Sequence, residues 1–174
     1  MFKCVNSKCL FLFLAEYRKV GSPTNMRVAL VRTYPAEPKK FEFSEDVHRI
    51  SEKFVKTYNQ SVAAEEAGLD ELAGVGYRKA LEFLIKDYLI EHENVDPDKV
   101  ASKFLGTVIN NFVKHESIKE MARQSAILGN DEAHYVRKHE DYDIENLKVF
   151  LNLTVKWIEM ELDTAKLTGM IQSK

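Results

Sequence analysis

The sequence of 174 residues predicts a mostly α-helical bundle that carries a β-hairpin appendage at its N-terminus. Within residues 1–40, two apolar and aromatic segments flank a cluster of turn-forming residues, as in a hairpin. From residue 41 onwards, apolar residues recur every three or four positions, which is typical of amphipathic helices. The segment YPAEPKK, residues 34–40, has two prolines and separates the two patterns. We therefore expect one domain over residues 1–40, including a Pro-containing linker, and a helical domain over residues 41–174.

The predicted hairpin is basic. Its strands are LFLFLAEYRK, residues 10–19, and MRVALVRTY, residues 26–34, joined through the turn segment VGSPTN. Residues 1–40 hold eight Lys or Arg against two acidic residues, whereas the remainder holds 17 against 25. A basic appendage on an acidic body could contact nucleic acid, although a solvated hairpin surface is the simpler interpretation.

The two cysteines lie close together in the segment CVNSKC, as Cys4 and Cys9. A structural zinc ion needs four ligands, and the chain has no other cysteine and no histidine nearby in sequence. The pair is therefore interpreted either as two free thiols or as half a zinc site that another chain would complete. We expect no other cofactor.

Five helices are expected in the second domain, the first capped by Ser44 and the third by Asp96. Gly74 and Gly76, near the start of the second helix, would let another backbone approach closely. The last helix has an apolar side broad enough to be buried against more than one neighbour, such as a second subunit. The segment GTVINNFVKHES is ambiguous. The expected helices cover residues 44–67, 70–93, 97–105, 117–128 and 144–167.

Apolar runs do not indicate a membrane protein. No run of 18 apolar residues occurs, and CLFLFLA, residues 9–15, lacks the flanks of a signal peptide. We therefore expect a cytoplasmic protein without a membrane partner.

Three segments carry a resemblance: YPAEP, SEKFVKTYNQSVAAEEAGLDELAGVGYRKALEFLIKDYL and ARQSAILGNDEAHY. Over residues 34–165 the chain resembles the bacterial and phage family called domain of unknown function 4145, of the HEPN-like superfamily. GYRKALE and LGNDEAH are the most specific pieces. The resemblance implies a HEPN-like bundle of four to five helices, usually a homodimer, found in or beside restriction and phage-defence systems. A protein of such a system would then be a partner.

Active members of the superfamily are metal-independent RNases, and the resemblance implies where their residues would lie. Their motif is an arginine, four to six residues and then a histidine, with a polar residue such as Asn beside the arginine. Asn130 and His134 match the polar residue and the histidine, but many relatives have an arginine where this chain has Ala126. Arg137 and Arg78 are the candidates to replace it. Arg123 lies outside the spacing of the motif.

The chemistry needs few groups. A neutral imidazole such as His134 can take the proton of a ribose 2′-OH, and an arginine can stabilise charge that develops on the phosphate. Asn130 could hydrogen-bond substrate or hold the histidine tautomer. Nearby Tyr135, Lys138 and His139 are candidate binding residues, although neighbouring acidic residues offset their charge.

Three interpretations of this segment stay open. In the first, Gly129 ends a helix, Asn130 caps the next, and His134 makes a hydrogen bond within the bundle. In the second, the segment forms a cleft that binds RNA or a nucleotide without catalysis. In the third, it is the active site of an endoribonuclease with a relocated arginine. We expect a helical interaction or regulatory module that is not a catalyst, with the endoribonuclease as the alternative.

Overall fold

The computed structural model describes residues 2–3, 5, 12–22, 24–34, 40–139 and 141–172. The chain divides into two compact units, residues 1–39 and residues 40–174. The described part of the first unit is a sheet, and that of the second is helical. Cys4 and Cys9 lie outside the described residues, as does most of the expected linker.

The first unit contains a three-stranded antiparallel sheet in the order β1-β2-β3. Its strands are β1 (Phe2–Lys3), β2 (Leu12–Ser22) and β3 (Asn25–Tyr34). The predicted hairpin is confirmed, with Ser22 opposite Asn25 at the turn and Leu14 opposite Tyr34 at the far end. The strand β1 was not predicted, since two residues are too few to show a pattern.

Seven helices form the described part of the second unit. The long helices α2, α3, α6 and α7 pack around one apolar core, to which the three short helices also contribute buried residues. None of the helices in the described residues is both long and apolar enough to span a bilayer. The bounds are α1 (Glu45–Ile50), α2 (Glu52–Glu66), α3 (Asp70–Glu91), α4 (Pro97–Val100), α5 (Leu105–Phe112), α6 (Glu116–Ala133) and α7 (Ile144–Gln172).

The single helix predicted over residues 44–67 is wrong, because the chain breaks it at Ser51. The Ser51 hydroxyl accepts from the Phe54 N–H at 3.2 Å, which caps α2, and donates to Asp87 Oδ2 of α3 at 2.5 Å. A contact between helices thus fixes the break, and no sequence pattern predicts it. The predicted cap is confirmed, since the side chain of Ser44 accepts from the Val47 N–H.

The helix predicted over residues 97–105 is also wrong in its length. Asp96 caps α4 as predicted, but α4 ends at Val100. Lys86 of α3 donates its ammonium to the carbonyls of Ala101 and Lys103, each at 2.9 Å. These bonds give partners to carbonyls at and just beyond the C-cap of the short helix. The ambiguous segment that follows forms α5.

The core confirms the predicted apolar stripe of α3. Tyr77, Leu81, Leu84 and Tyr88 are all buried. The Tyr77 hydroxyl donates to Glu65 of α2 at 2.7 Å, so the buried phenol has a partner. Burial raises the pKa of Tyr77, and the nearby Glu65 carboxylate raises it further.

Candidate functional site

The two segments with the most specific resemblance pack against each other. A Cβ added to Gly129 of α6 would lie 2.7 Å from Arg78 Cβ of α3. One turn away, a Cβ added to Gly74 of α3 would lie 2.7 Å from Glu132 Cβ of α6. Each helix therefore places a glycine against a long side chain of the other, and the two backbones come close. At Gly74 the close neighbour is the Glu132 side chain, and at Gly76 it is Ser61 of α2, whose Cα would lie 3.7 Å from an added Cβ.

This packing contradicts the prediction that Gly129 ends a helix and that Asn130 caps the next. Helix α6 runs through both residues to Ala133, and His134 is its extended C-cap. The glycine is required by the close contact with α3, which outweighs its preference for helix ends. The segment is thus a helix followed by a loop, and Asn130 belongs to the last full turn.

Arg78 is the arginine that reaches this turn. Its Nε donates to Asn130 Oδ1 at 2.7 Å, and Nη1 lies 3.8 Å from Glu82 Oε2 one turn along α3. Because the arginine can only donate, the amide oxygen of Asn130 faces α3. The amide nitrogen Nδ2 remains a donor for the cleft that Asn130 lines.

That cleft, of about 620 Å³, opens at the carboxyl end of α6. It contains His134 and the three residues predicted to bind, Tyr135, Lys138 and His139. All four residues are exposed, and the imidazole of His134 makes no hydrogen bond to any other described residue. The full lining is Ile127, Asn130, Asp131, His134, Tyr135, Val136, Lys138 and His139.

Asp131 anchors the loop that forms one wall of the cleft. Its Oδ2 accepts from the backbone N–H of His139 at 3.0 Å and lies 2.6 Å from His139 Nδ1. Burial alone would raise the pKa of Asp131, but the hydrogen bonds from the His139 ring and from the N–H groups of Lys138 and His139 outweigh it and lower the pKa. The ionised carboxylate can only accept, so Nδ1 of His139 carries a proton and Nε2 stays available to a ligand.

Asp131 is the polar residue of the cleft lining that the sequence analysis did not predict. Eight positions separate it from His139, across the end of α6, and no periodic pattern links a helix to the loop behind it. Burial of an aspartate near a helix end does indicate it, but that burial is known only from the structure.

Arg137 is held away from the described lining of the cleft. Its guanidinium donates to Glu132 Oε1 at 2.6 Å and to the Tyr142 carbonyl at 2.8 Å, which ties the loop to the start of α7. Burial raises the pKa of Glu132, against the opposing effect of Arg137. Of the two candidate arginines, Arg78 is therefore the one in contact with Asn130.

Two other residues considered in the sequence analysis, Ala126 and Arg123, lie earlier on α6. Ala126 is buried in the core, so an arginine could not replace it without disturbing the packing. Arg123 is on the exposed surface, where it pairs with Glu120 at 3.1 Å.

Metal ligands do not gather in the described part of the chain. No group of three or more His, Asp, Glu or Cys side chains with the arrangement of a metal site occurs there. The prediction of half a zinc site at Cys4 and Cys9 falls on residues that are not described.

Comparisons with known proteins find no relative of this chain. The chain has no significant match among protein-family models, curated proteins or solved structures.

Proposed function

We propose that this chain is a HEPN-like helical module that binds RNA or a nucleotide in the cleft at the carboxyl end of α6 and is not a catalyst. The observation that carries the proposal is the hydrogen bond from Arg78 to Asn130, since it occupies the amide oxygen and leaves the Nδ2 donor of Asn130 for a phosphate. Lys138 adds a cation, and the imidazoles of His134 and His139 add further polar groups. Exposed Tyr135 offers a ring on which a base could stack.

The charge distribution supports binding without catalysis. Arg78 is engaged by Asn130 and lies near Glu82, and Arg137 is engaged by Glu132, so both candidate arginines already have partners. A catalyst would need an arginine aimed at the phosphate before substrate arrives. The resemblance suggests that such a module regulates or contacts a partner in restriction or phage defence.

Binding is tested by the fluorescence anisotropy of a short labelled single-stranded RNA, with adenosine monophosphate as a competitor. Lys138→Ala should weaken RNA binding by about fivefold. It should also make the slope of the logarithm of the binding constant against the logarithm of the salt concentration shallower, by about the share of one phosphate contact. Lys99→Ala is the matched control, because Lys99 is an exposed lysine on α4, away from the described lining of the cleft. Equal losses in the two variants, or no RNA binding by the wild type, would refute the proposal.

A second function, metal-independent cleavage of RNA, is favoured by one observation. The cleft holds two imidazoles, and Asp131 orients one of them, His139. His134 could take the 2′-OH proton while the oxygen attacks phosphorus, and protonated His139 could give a proton to the departing 5′-oxygen. The products would be a 2′,3′-cyclic phosphate and a 5′-hydroxyl.

Cleavage is tested on the same RNA in EDTA. The nuclease function requires that His134→Ala and His139→Ala both abolish cleavage and that His48→Ala, an exposed histidine on α1, does not. If the wild type binds RNA and leaves it intact, the module functions by binding alone.

A further inference from the structure

The sheet of the first unit has a basic face. Side chains alternate between the two faces along a strand, and residues that pair across strands share a face. Glu16 pairs with Arg32, and their side chains form an ion pair at 3.6 Å. By the same register, Arg18 and Arg27 lie on the face of this pair, and all three arginines are exposed. Three guanidiniums, which together define the basic face, therefore outnumber the one carboxylate beside them.

Two of these arginines are close neighbours and have no acidic partner. Arg18 lies opposite Ala29, and Arg27 lies opposite Val20, so the two arginines are diagonal neighbours about 7–8 Å apart. Neither forms an ion pair with any residue in the described part of the chain. The planar guanidinium binds phosphate oxygens and the edge of guanine with two parallel hydrogen bonds. The basic face therefore offers two unpaired groups suited to a nucleic acid.

The aromatic residues of the sheet distinguish between kinds of nucleic acid. Phe2 lies against Phe13, with ring centroids 5.6 Å apart, and against Tyr17 at 6.3 Å. The register places this cluster on the face opposite the arginines. Surfaces that bind single strands combine cations with aromatic rings on which successive bases stack. Because the cluster and the arginines lie on opposite faces, the basic face suits a partner whose bases stay paired.

The shape of the hairpin indicates which duplex it fits. Near the turn, residues from Tyr17 to Ser22 pair with those from Leu30 to Asn25, and β1 pairs with the far end of β2. These six pairs form a two-stranded ribbon about 20 Å long, with strands about 4.8 Å apart. The major groove of B-DNA is about 12 Å wide and admits such a ribbon, whereas that of duplex RNA is too narrow for side chains.

We propose that the basic face of the hairpin lies in the major groove of double-stranded DNA, where Arg18 and Arg27 donate to phosphates and guanine edges. Residues 41–174 hold 17 basic against 25 acidic residues, so the helical unit does not attract DNA by its net charge. The affinity then depends on the arginines of the hairpin. The basic face shares no residue with the cleft and does not depend on what the cleft binds.

The proposal is tested with the full chain by the fluorescence anisotropy of a labelled DNA duplex of about 20 base pairs. Arg18→Gln and Arg27→Gln should each weaken binding by about fivefold and make its dependence on salt concentration shallower. Lys19→Gln is the matched control, because it removes one charge from the adjacent exposed residue on the opposite face. It should change the affinity by less than about twofold, and all three variants should keep the far-ultraviolet circular dichroism of the wild type.

Competition identifies the partner. Unlabelled duplex DNA should displace the probe at lower concentration than the same sequence as a single strand, than duplex RNA and than phosphatidylserine vesicles. Arg18→Gln should bind short single-stranded RNA as the wild type does, which separates this face from the cleft. The proposal is overturned if the wild type does not bind duplex DNA, if Lys19→Gln loses as much affinity as the arginine variants, or if another competitor is stronger.

Discussion

Gly129 of α6 lies so close to Arg78 of α3 that a Cβ at the glycine would be 2.7 Å from the Cβ of the arginine and 3.4 Å from its Cα. This contact brings the Arg78 guanidinium beside the next residue of α6, Asn130, where Nε donates to the amide oxygen at 2.7 Å. Asn130 is thus held by an arginine of the neighbouring helix α3. The small Gly129 therefore lets Arg78 come close, and Asn130 at the next position accepts its hydrogen bond.

Gly129→Ala should destabilise the protein, because the added methyl would press on the backbone and side chain of Arg78. We expect a loss of about 1–3 kcal/mol in the free energy of unfolding, as for other overpacked sites. Urea denaturation followed by circular dichroism at 222 nm, the standard helix signal, measures it.

Gly106→Ala is the control for this prediction. Gly106 lies in α5, and a Cβ added to it would meet no atom within 4 Å, so alanine should stabilise the protein there by up to about 1 kcal/mol through helix propensity. If the two variants shifted the urea midpoint in the same direction, the close contact of α3 and α6 would be refuted.

Lys86→Met should destabilise the connection between α3 and the turn after α4. The Lys86 side chain is only 12% exposed, and its ammonium serves two carbonyls and Glu82 Oε1 at 2.7 Å. Removing it leaves these acceptors without their donor, which should cost about 1–3 kcal/mol. Hydrogen exchange measured by mass spectrometry should show faster exchange in residues 97–104.

The matched variant is Lys79→Met. Lys79 also pairs with Glu82, at 3.2 Å, but its side chain is 51% exposed and it serves no carbonyl in the described structure. Its loss should cost no more than about 0.5 kcal/mol. Equal effects at both lysines would show that the carbonyl contacts of Lys86 contribute nothing.

Asp131 should make stability depend on pH in the acid range. Its pKa in the folded chain is below 3.8, the ordinary value for the carboxyl group. The folded state therefore holds this proton less tightly than the unfolded state. The ionised carboxylate makes its full contribution to the free energy of unfolding above about pH 3.8, and this contribution is lost as pH falls through the folded pKa. Urea midpoints measured from about pH 6 to pH 2 should fall less steeply in Asp131→Asn than in the wild type.

The control for the pH experiment is Asp98→Asn, at an exposed carboxylate on α4. Its acid profile should run parallel to that of the wild type. If the urea midpoint of Asp131→Asn fell with pH as steeply as that of the wild type, the hydrogen bonds from the loop residues Lys138 and His139 would not stabilise the charged carboxylate.

Local patterns determined most of the secondary structure of this protein. The hairpin, the caps at Ser44 and Asp96 and the buried stripe of α3 follow from side-chain period and from hydrogen bonds within a few residues. The family resemblance, and not a local pattern, indicated Asn130 and His134 as site residues and Arg78 as an arginine that could approach from the second helix.

Only the tertiary structure decided the features that depend on residues far apart in sequence. Ser51 breaks a helix because Asp87 accepts its hydroxyl, and Gly129 stays inside a helix because Arg78 needs the space. Asp131 holds His139 because the chain turns back after α6. Each of these contacts joins residues of different elements, and its interaction energy is greater than the local preference of the chain. No periodicity or spacing in the sequence indicates such a contact.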